Sequence, residues 1–313
     1  MRLIDVVVTF NRLEKLKETI SRSLKEPFDT IIVVNNASTD GTEEWLSSLD
    51  EDKVVVVNSV RNVGGAGGFN LGLAEALKHN PSWICMHDDD SYPEVGCIEQ
   101  FRTISIDIEP TVDAVSAAVY LPTGVIAEMN RPFLNPFLRR TAAGSRGKSR
   151  VSDEMYIVGG EVDAVTFVGF FVRADSVRSY LGLPDPELFI YADDMIYTYQ
   201  IKKAGRRILF RPELAFVHDC ETLQGNSDVY LPEWKVYYTY RNRILFYKTL
   251  IDKKWLYLVV LVQRVCLWAV ASVNYPRRRI YFKYFMHAVI DGVRSNTSRG
   301  FAEIKGGFFG GQK

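Results

Sequence analysis

The chain is short of the features that announce a specialised class of protein. Its four cysteines, Cys85, Cys97, Cys220 and Cys266, include no CxxC pair, so neither a disulfide framework nor a zinc site is expected, and a reducing cytosol suits them. There is no charge excess: 38 Lys and Arg balance 38 Asp and Glu among 313 residues, so no overall field draws the protein to nucleic acid. Any membrane affinity has to be local. The opening MRLIDVVVTFN has no long apolar stretch and no small-residue cleavage site, so a secretory signal is not expected. No internal repeat is evident. No GK[ST] accompanies a glycine run, which removes a P-loop, and TFNRLEK after the first apolar run holds no glycine, where a dinucleotide fingerprint or a triphosphate-gripping loop would need one.

What is present is an alternation. From Leu3 to His87, the apolar runs LIDVVVTF, DTIIVVNN, KVVVVNS and SWICMHD alternate with the amphipathic stretches LEKLKETISRSL, TEEWLSSL and FNLGLAEALKH. Continuous Val and Ile runs are buried on both faces, so a largely parallel sheet covered by helices is expected, with ligands at the carboxyl ends of its strands. Those ends are polar: Thr9, Phe10 and Asn11, then Asn35 and Asn36, then Arg61 and Asn62, then Asp88 to Asp90. Any one of these could be turn chemistry, but four in the same relative place point to a site.

Three consecutive aspartates at a strand end are costly unless a cation sits among them, and hard oxygen ligands suit Mg or Mn. The competing reading is an acidic loop that caps a helix starting at Pro93. The glycine run GGAGG opens a helix and removes side chains from its approach, which makes room either for a sugar or phosphate or for another backbone segment. Farther on, Asp193 and Asp194 open a helix in YADDMIYTY, where acids also complement the helix dipole, and His218 ends the strand LAFVH and could complete a metal set with the aspartates.

After the helix from Pro93 a strand is expected at VDAVSAAVYL. Residues 122 to 154, rich in Pro, Gly, Ser and Arg, read as a mobile loop, either a lid or an insertion. EVDAVTFVGFFVRADSV reads as one strand followed by a helix, DDMIYTYQIKKAG as a helix ended by Gly205, and RRILF and LAFVH as two strands. From about Leu231 the chain turns to aromatic, basic helices. Trp255 to Val273 is nearly long enough to span a bilayer, but Gln263 and Arg264 sit at its centre, where Arg costs roughly 2.5–3.5 kcal/mol. Lys253 and Lys254 before it and Arg277 to Arg279 after it suit a helix lying on anionic lipid; packing in a bundle or an oligomer is the alternative.

In order, VVVTFNRLEKLKETI, IIVVNNASTDGTEEWL, RNVGGAGGFNLGL, MHDDD, YADDMIYTYQIKKAG and VHD resemble the inverting glycosyltransferases of family 2 over residues 3 to 220. Galactofuranosyltransferases are the most similar group, and bacterial rhamnosyltransferases share VVNNASTDGT and YYTYRNR. The resemblance implies a GT-A fold: an α/β, Rossmann-like, mixed and mostly parallel sheet flanked by helices, with a C-terminal helical extension. It implies a catalytic domain over 1–225, with a nucleotide-sugar half at 1–92 and an acceptor and metal half at 93–225, then a helical region at 226–313. It places Thr9, Asn11, Asn36, Arg61, Asn62, Gly64, Gly65, Asp88 and Asp89 around the donor. By the same resemblance, Asp88, Asp90 and His218 would hold a Mn or Mg ion, Asp194 would be the base, and Asp193 would orient the acceptor or the donor sugar. Many family members carry Asp at Asn35 or Asn36. The implied donor is UDP-galactofuranose, with dTDP-rhamnose as the alternative; the aromatic, basic C-terminal helices, outside the matched region, add the expectation of a lipid-linked glycan acceptor of cell-surface polysaccharide. The implied location is the inner face of the cell membrane, peripherally bound, with oligomers possible and no nucleic acid. A sugar-nucleotide nucleotidyltransferase or a non-catalytic nucleotide-sugar binding module are the readings from other classes. The first lacks its glycine-rich loop after the first strand, and the second has no need of Asp194 and His218.

Overall fold

The valine and isoleucine runs become β1 (Leu3–Thr9), β2 (Thr30–Asn35) and β3 (Val54–Asn58), and SWICMHD supplies β4 (Trp83–Asp88). The structure is a computed structural model that describes residues 1–134, 150–220 and 229–306. These four strands are parallel in the order β3-β2-β1-β4, and β1 and β2 are buried along their length because helices cover both faces. The connections are α1 (Leu13–Lys25), α2 (Thr42–Ser48) and α3 (Gly64–Lys78). Gly68 and Gly72, four residues apart on one face of α3, lie against β1: a Cβ on either would fall 2.3 Å and 2.4 Å from Cγ1 of Val8 and Val6. The missing side chains let the helix settle onto the strand.

The second half continues with β5 (Ser91–Pro93), α4 (Cys97–Ile104), β6 (Val112–Tyr120), the short α5 (Met155–Val158), β7 (Gly160–Val162), β8 (Phe170–Arg173), the turn α6 (Ala174–Ser176), α7 (Asp193–Lys203) and β9 (Arg207–His218). Among the described residues the sheet has nine strands in the order β3-β2-β1-β4-β8-β6-β9-β5, with β7 also on β9; β8 joins the halves by pairing antiparallel with both β4 and β6. One apolar core lies on each face of the sheet.

Three expectations of this half are corrected. Pro93 ends a strand rather than starting a helix: β5 pairs antiparallel with β9, and α4 begins at Cys97 after Gly96, whose φ of 83° turns the chain. EVDAVTFVGFFVRADSV holds two strands, β7 on β9 and β8 between β4 and β6, with Gly169 at φ 63° turning the chain into β8. RRILF and LAFVH are one strand, β9. Its pairing with β6 jumps from Ala117↔Arg211 to Ala118↔Ala215, so the Pro212–Leu214 stretch bulges out, where a proline with no N–H to donate does no harm.

Of the loop expected at 122–154, residues 135–149 lie outside the described residues, and the described flanks are ordered. Glu128–Asn130 form a 3-10 turn, Phe133 bridges to Arg150 and Ala164, and Asn130 and Arg131 are buried. The boundary placed at 225/226 also lies outside the described residues. Beyond it come α8 (Trp234–Leu250), α9 (Lys254–Ala271), α10 (Arg278–Arg294) and α11 (Phe301–Lys305). They build a third, aromatic core that includes Phe189 of the preceding half, with Phe189 stacked on Tyr238 and Phe301 at 4.8 and 4.5 Å.

Candidate active site

In an open parallel sheet the crevice forms where the strand order reverses, and here that place is between the carboxyl ends of β1 and β4. Register aligns Val8 with Asp88, and Thr9 with Asn35. Asp89 turns inward: its Oδ2 accepts from the Thr9 hydroxyl at 2.8 Å and from the Phe10 N–H at 3.3 Å, and its carbonyl accepts from the Thr19 hydroxyl at 2.8 Å. Arg12 joins Asp89 to Asp90, with Nη1 3.3 Å from Asp89 Oδ1 and 2.6 Å from Asp90 Oδ2. Burial pushes the Asp89 carboxyl up to about 7 against the pull of Arg12. A cavity of about 430 Å³ opens here, lined by Asn11, Arg12, Lys15, Asp40, Asp90 and Asp219 among others.

His218 reaches this acidic turn because β5 pairs with β9 and sets Ser91 opposite His218. Ligand atoms of Asp88, Asp90 and His218 all lie within 4.8 Å of one another. The Asn130 amide donates to the Thr166 hydroxyl at 3.0 Å, so its Oδ1 faces His218 and accepts from Nδ1 at 2.8 Å. That leaves the Nε2 lone pair toward Asp90, whose Oδ1 lies 3.2 Å away, buried and without a hydrogen bond. Two acceptors facing each other across a gap is the arrangement a divalent cation resolves, so this donor set fits the metal it resembles. Burial and the Asp90 charge raise the Asp88 carboxyl. Burial also opposes the charge on Asp90, but His218, in the form that carries a proton on Nε2 in place of a cation, and Arg12 hold it below the usual carboxylate range.

On the other side of the crevice, several residues expected around the donor engage the protein itself. Asn36 donates to the Asn62 side chain at 3.2 Å and the Gly64 carbonyl at 3.0 Å, and accepts from the Val63 N–H at 2.9 Å. Asn62 caps the Gly64 N–H at 2.8 Å, and Asn11 accepts from the Thr39 N–H at 2.7 Å. Arg61 is exposed at the rim. Gly64 has φ 74°, and a Cβ there would fall 2.1 Å from the Phe189 carbonyl oxygen, so the chain's own backbone occupies its approach; Gly65 faces open space.

The segment that approaches Gly64 is the one that delivers Asp193 and Asp194. Phe189, Tyr191 and Ala192 all have left-handed φ, of 64°, 69° and 59°. Such residues cost roughly 1–3 kcal/mol each unless the surroundings fix them. They turn the chain into the first turn of α7, where Asp193 is buried and Asp194 half-buried. Burial raises Asp194 to about 6, offset in part by the Met195 N–H that it accepts at 2.7 Å, while Asp88 adds a further upward push. Asp193 is driven well above its ordinary value by burial and by the charge of Asp194. Both acids feel the charge of Asp88, so α7 opens onto the acidic turn.

Sequence reasoning did not single out Arg12 or Asn130. Arg12 follows directly on Asn11 at the β1 end and could have been read from that position. Asn130 meets a histidine 88 positions away, and no local signal marks it.

The parallel first half, the antiparallel crossing through β8 and an acidic strand end faced by a histidine and a second acidic pair define the GT-A fold of glycosyltransferases. In fold the chain is similar to the crystal structure of GalNAc-T7 with UDP, GalNAc and Mn2+, with a TM-score of 0.59 at 16% identity, over 95% of this chain and 58% of that one. Residues 6–150 match the Glycosyl transferase family 2 model. Among curated relatives it is 28% identical to galactofuranosyltransferase GlfT1 of Mycolicibacterium smegmatis, over 76% of this chain and 80% of that protein. It is 23% identical to the dTDP-rhamnosyl transferase RfbF of Shigella flexneri, over 94% of this chain and 96% of that protein.

Proposed function

We propose that this chain transfers galactofuranose from UDP-galactofuranose, with inversion at the anomeric carbon, to a lipid-linked glycan acceptor in cell-surface polysaccharide synthesis. The observation that carries the reaction type is Asp194: a half-buried carboxylate raised to about 6, at the start of α7 and within electrostatic reach of Asp88 across the crevice. A carboxylate there can take the proton from an acceptor hydroxyl as the new C–O bond forms and the bond to the diphosphate breaks, its electron pair leaving on a phosphate oxygen. Asp193 would orient the acceptor or the donor sugar. Asp88, Asp90 and His218 would hold a Mn or Mg ion, which supplies charge neutralisation for the departing diphosphate. Thr9, Asn11, Asn36, Arg61, Asn62, Gly64, Gly65 and Asp89 form or support the nucleotide side. Thr9 and Asn36 do so by fixing the Asp89 turn and the 62–64 turn.

The similarity to GlfT1 supports the donor. The alignment with RfbF over 94% of this chain favours a second reading, transfer of rhamnose from dTDP-rhamnose. Incubating the protein with Mn2+, an acceptor glycan and each of UDP-galactofuranose, UDP-galactopyranose and dTDP-rhamnose, and measuring released nucleotide, separates the two. Release from dTDP-rhamnose alone overturns the first reading.

The location proposed is peripheral, on the inner membrane face. Lys254–Asn274 is long and apolar enough to cross a membrane, and only 22% of that window is buried. Trp255, Leu258, Val259, Val262, Leu267 and Val270 on α9 are exposed, with Phe282, Met286 and Ile290 on α10, beside the basic Lys253, Lys254, Arg278 and Arg279. Co-sedimentation with vesicles containing anionic lipid tests this, and failure to bind at low salt overturns it.

A further inference from the structure

Left-handed φ at Phe189, Tyr191 and Ala192 keeps this segment out of helix and strand, so its carbonyls need donors from other elements. The carbonyls of Glu187, Leu188, Ile190 and Tyr191 are met from α8. Arg241 Nη2 donates to the carbonyls of Glu187 at 2.7 Å and Leu188 at 3.0 Å. The two N–H groups of the Asn242 amide are shared among those of Leu188, Ile190 and Tyr191, at 2.9, 3.0 and 2.8 Å from its nitrogen. Both side chains are fully buried. They also fix each other, since Arg241 Nε donates to Asn242 Oδ1 at 2.9 Å. The guanidinium lies over the rings of Tyr237 and Tyr238, 5.2 and 5.0 Å from their centroids. From the opposite side, the Ala66 N–H of α3 donates to the Phe189 carbonyl at 3.2 Å. The segment is thus held between the donor-side helix and the C-terminal region.

Resting on the assignment of Asp194 as the base, we infer that Arg241 and Asn242 are positioning residues for the transfer reaction: they hold the 187–192 turn that aims Asp194 at the acceptor hydroxyl. An apolar contact could bury such a turn, but only donors at these points satisfy inward-facing carbonyls in this conformation. The TYRNR stretch of α8 thereby makes the C-terminal helices part of the chemistry and not only an anchor. Arg241 and Asn242 touch no reacting atom, so their loss should leave the donor side intact while the base drifts from its place.

The test uses the full chain with Asn242→Ser, which keeps a polar group but cannot reach the carbonyls, and with Arg241→Lys and Arg241→Ala. For Asn242→Ser, kcat should fall on the order of 10²-fold, the loss that a misplacement of about 1 Å can produce. Donor KM and the affinity for UDP with Mn2+ should stay within roughly threefold, well under that loss. Arg241→Lys, which still donates, should recover part of the activity lost in Arg241→Ala. Amide hydrogen exchange should quicken at 187–196 before it does elsewhere. Wild-type kcat in both Asn242→Ser and Arg241→Lys, or a parallel loss of kcat and UDP–Mn2+ binding, overturns the inference. If Asn242→Ser fails to fold, the two Arg241 variants decide by the same readouts. Normal transfer by Asp194→Asn would instead overturn the base assignment on which the inference rests.

Discussion

The imidazole of His218 is held from behind by Asn130, whose side-chain oxygen lies 2.8 Å from Nδ1. This contact fixes which ring nitrogen faces Asp90. Asn130→Ala should therefore weaken Mn2+ binding about 10–100-fold, as loss of a partner behind a metal-bound histidine does, while Asn130→Asp should retain most of it. Titration calorimetry with Mn2+ decides, and equal affinity in wild type and Asn130→Ala removes His218 from the ligand set.

Asp194→Asn keeps the size and the Met195 contact of the side chain but cannot accept a proton. Transfer should fall about 10²–10⁴-fold, the range that general-base catalysis contributes, with UDP–Mn2+ affinity unchanged. Turnover near the wild-type rate would show that the base is elsewhere.

The raised value of Asp194 also sets an acid limit. The base works only when ionised, and a carboxyl raised to about 6 is mostly protonated below that pH, so kcat should decline as pH falls through about 6 with the slope of one proton. A cation beside Asp88 removes part of the upward push, so with metal bound the limb should sit at or somewhat below this value. A flat profile between pH 5 and 8, under saturating metal and donor, contradicts it.

Gly64 stands at φ 74° with the Phe189 carbonyl oxygen 2.1 Å from where a Cβ would be. Gly64→Ala combines backbone strain with a clash against backbone, and should cost about 1–3 kcal/mol or more in urea unfolding. Gly65→Ala, which meets nothing within 4 Å, serves as the control and should cost less than half of that.

The nucleotide-side half was legible because its strands are unbroken Val and Ile runs and its helices carry a regular apolar stripe. The second half was legible only in outline. Strands of three or four residues, such as β5, β7 and β8, are too short to show a period, and a bulge at Pro212 looks like a strand end. The acidic turn, the pair at Asp193 and Asp194 and the histidine at a strand end could be picked out because each is unusual for its local position. The glycines were a mixed signal. Gly68 and Gly72 at a four-residue interval speak of a helix laid against a strand, a relationship visible in their spacing, whereas Gly64 answers to a segment more than a hundred residues away. Asn130 and Arg241 have meaning only through tertiary contact.

The pairing of Ser91 with His218 means that the proposed metal set exists only once the last strand of the sheet has been laid down beside β5. On that reading the ion binds no partly assembled chain, and its affinity becomes a reward for completing the sheet. Free Mn2+ at a hundred times its dissociation constant would then add about 2.7 kcal/mol to the resistance of the whole domain to unfolding. Depletion of the ion should loosen β9 and β5 first, before it disturbs the parallel strands β1 to β4.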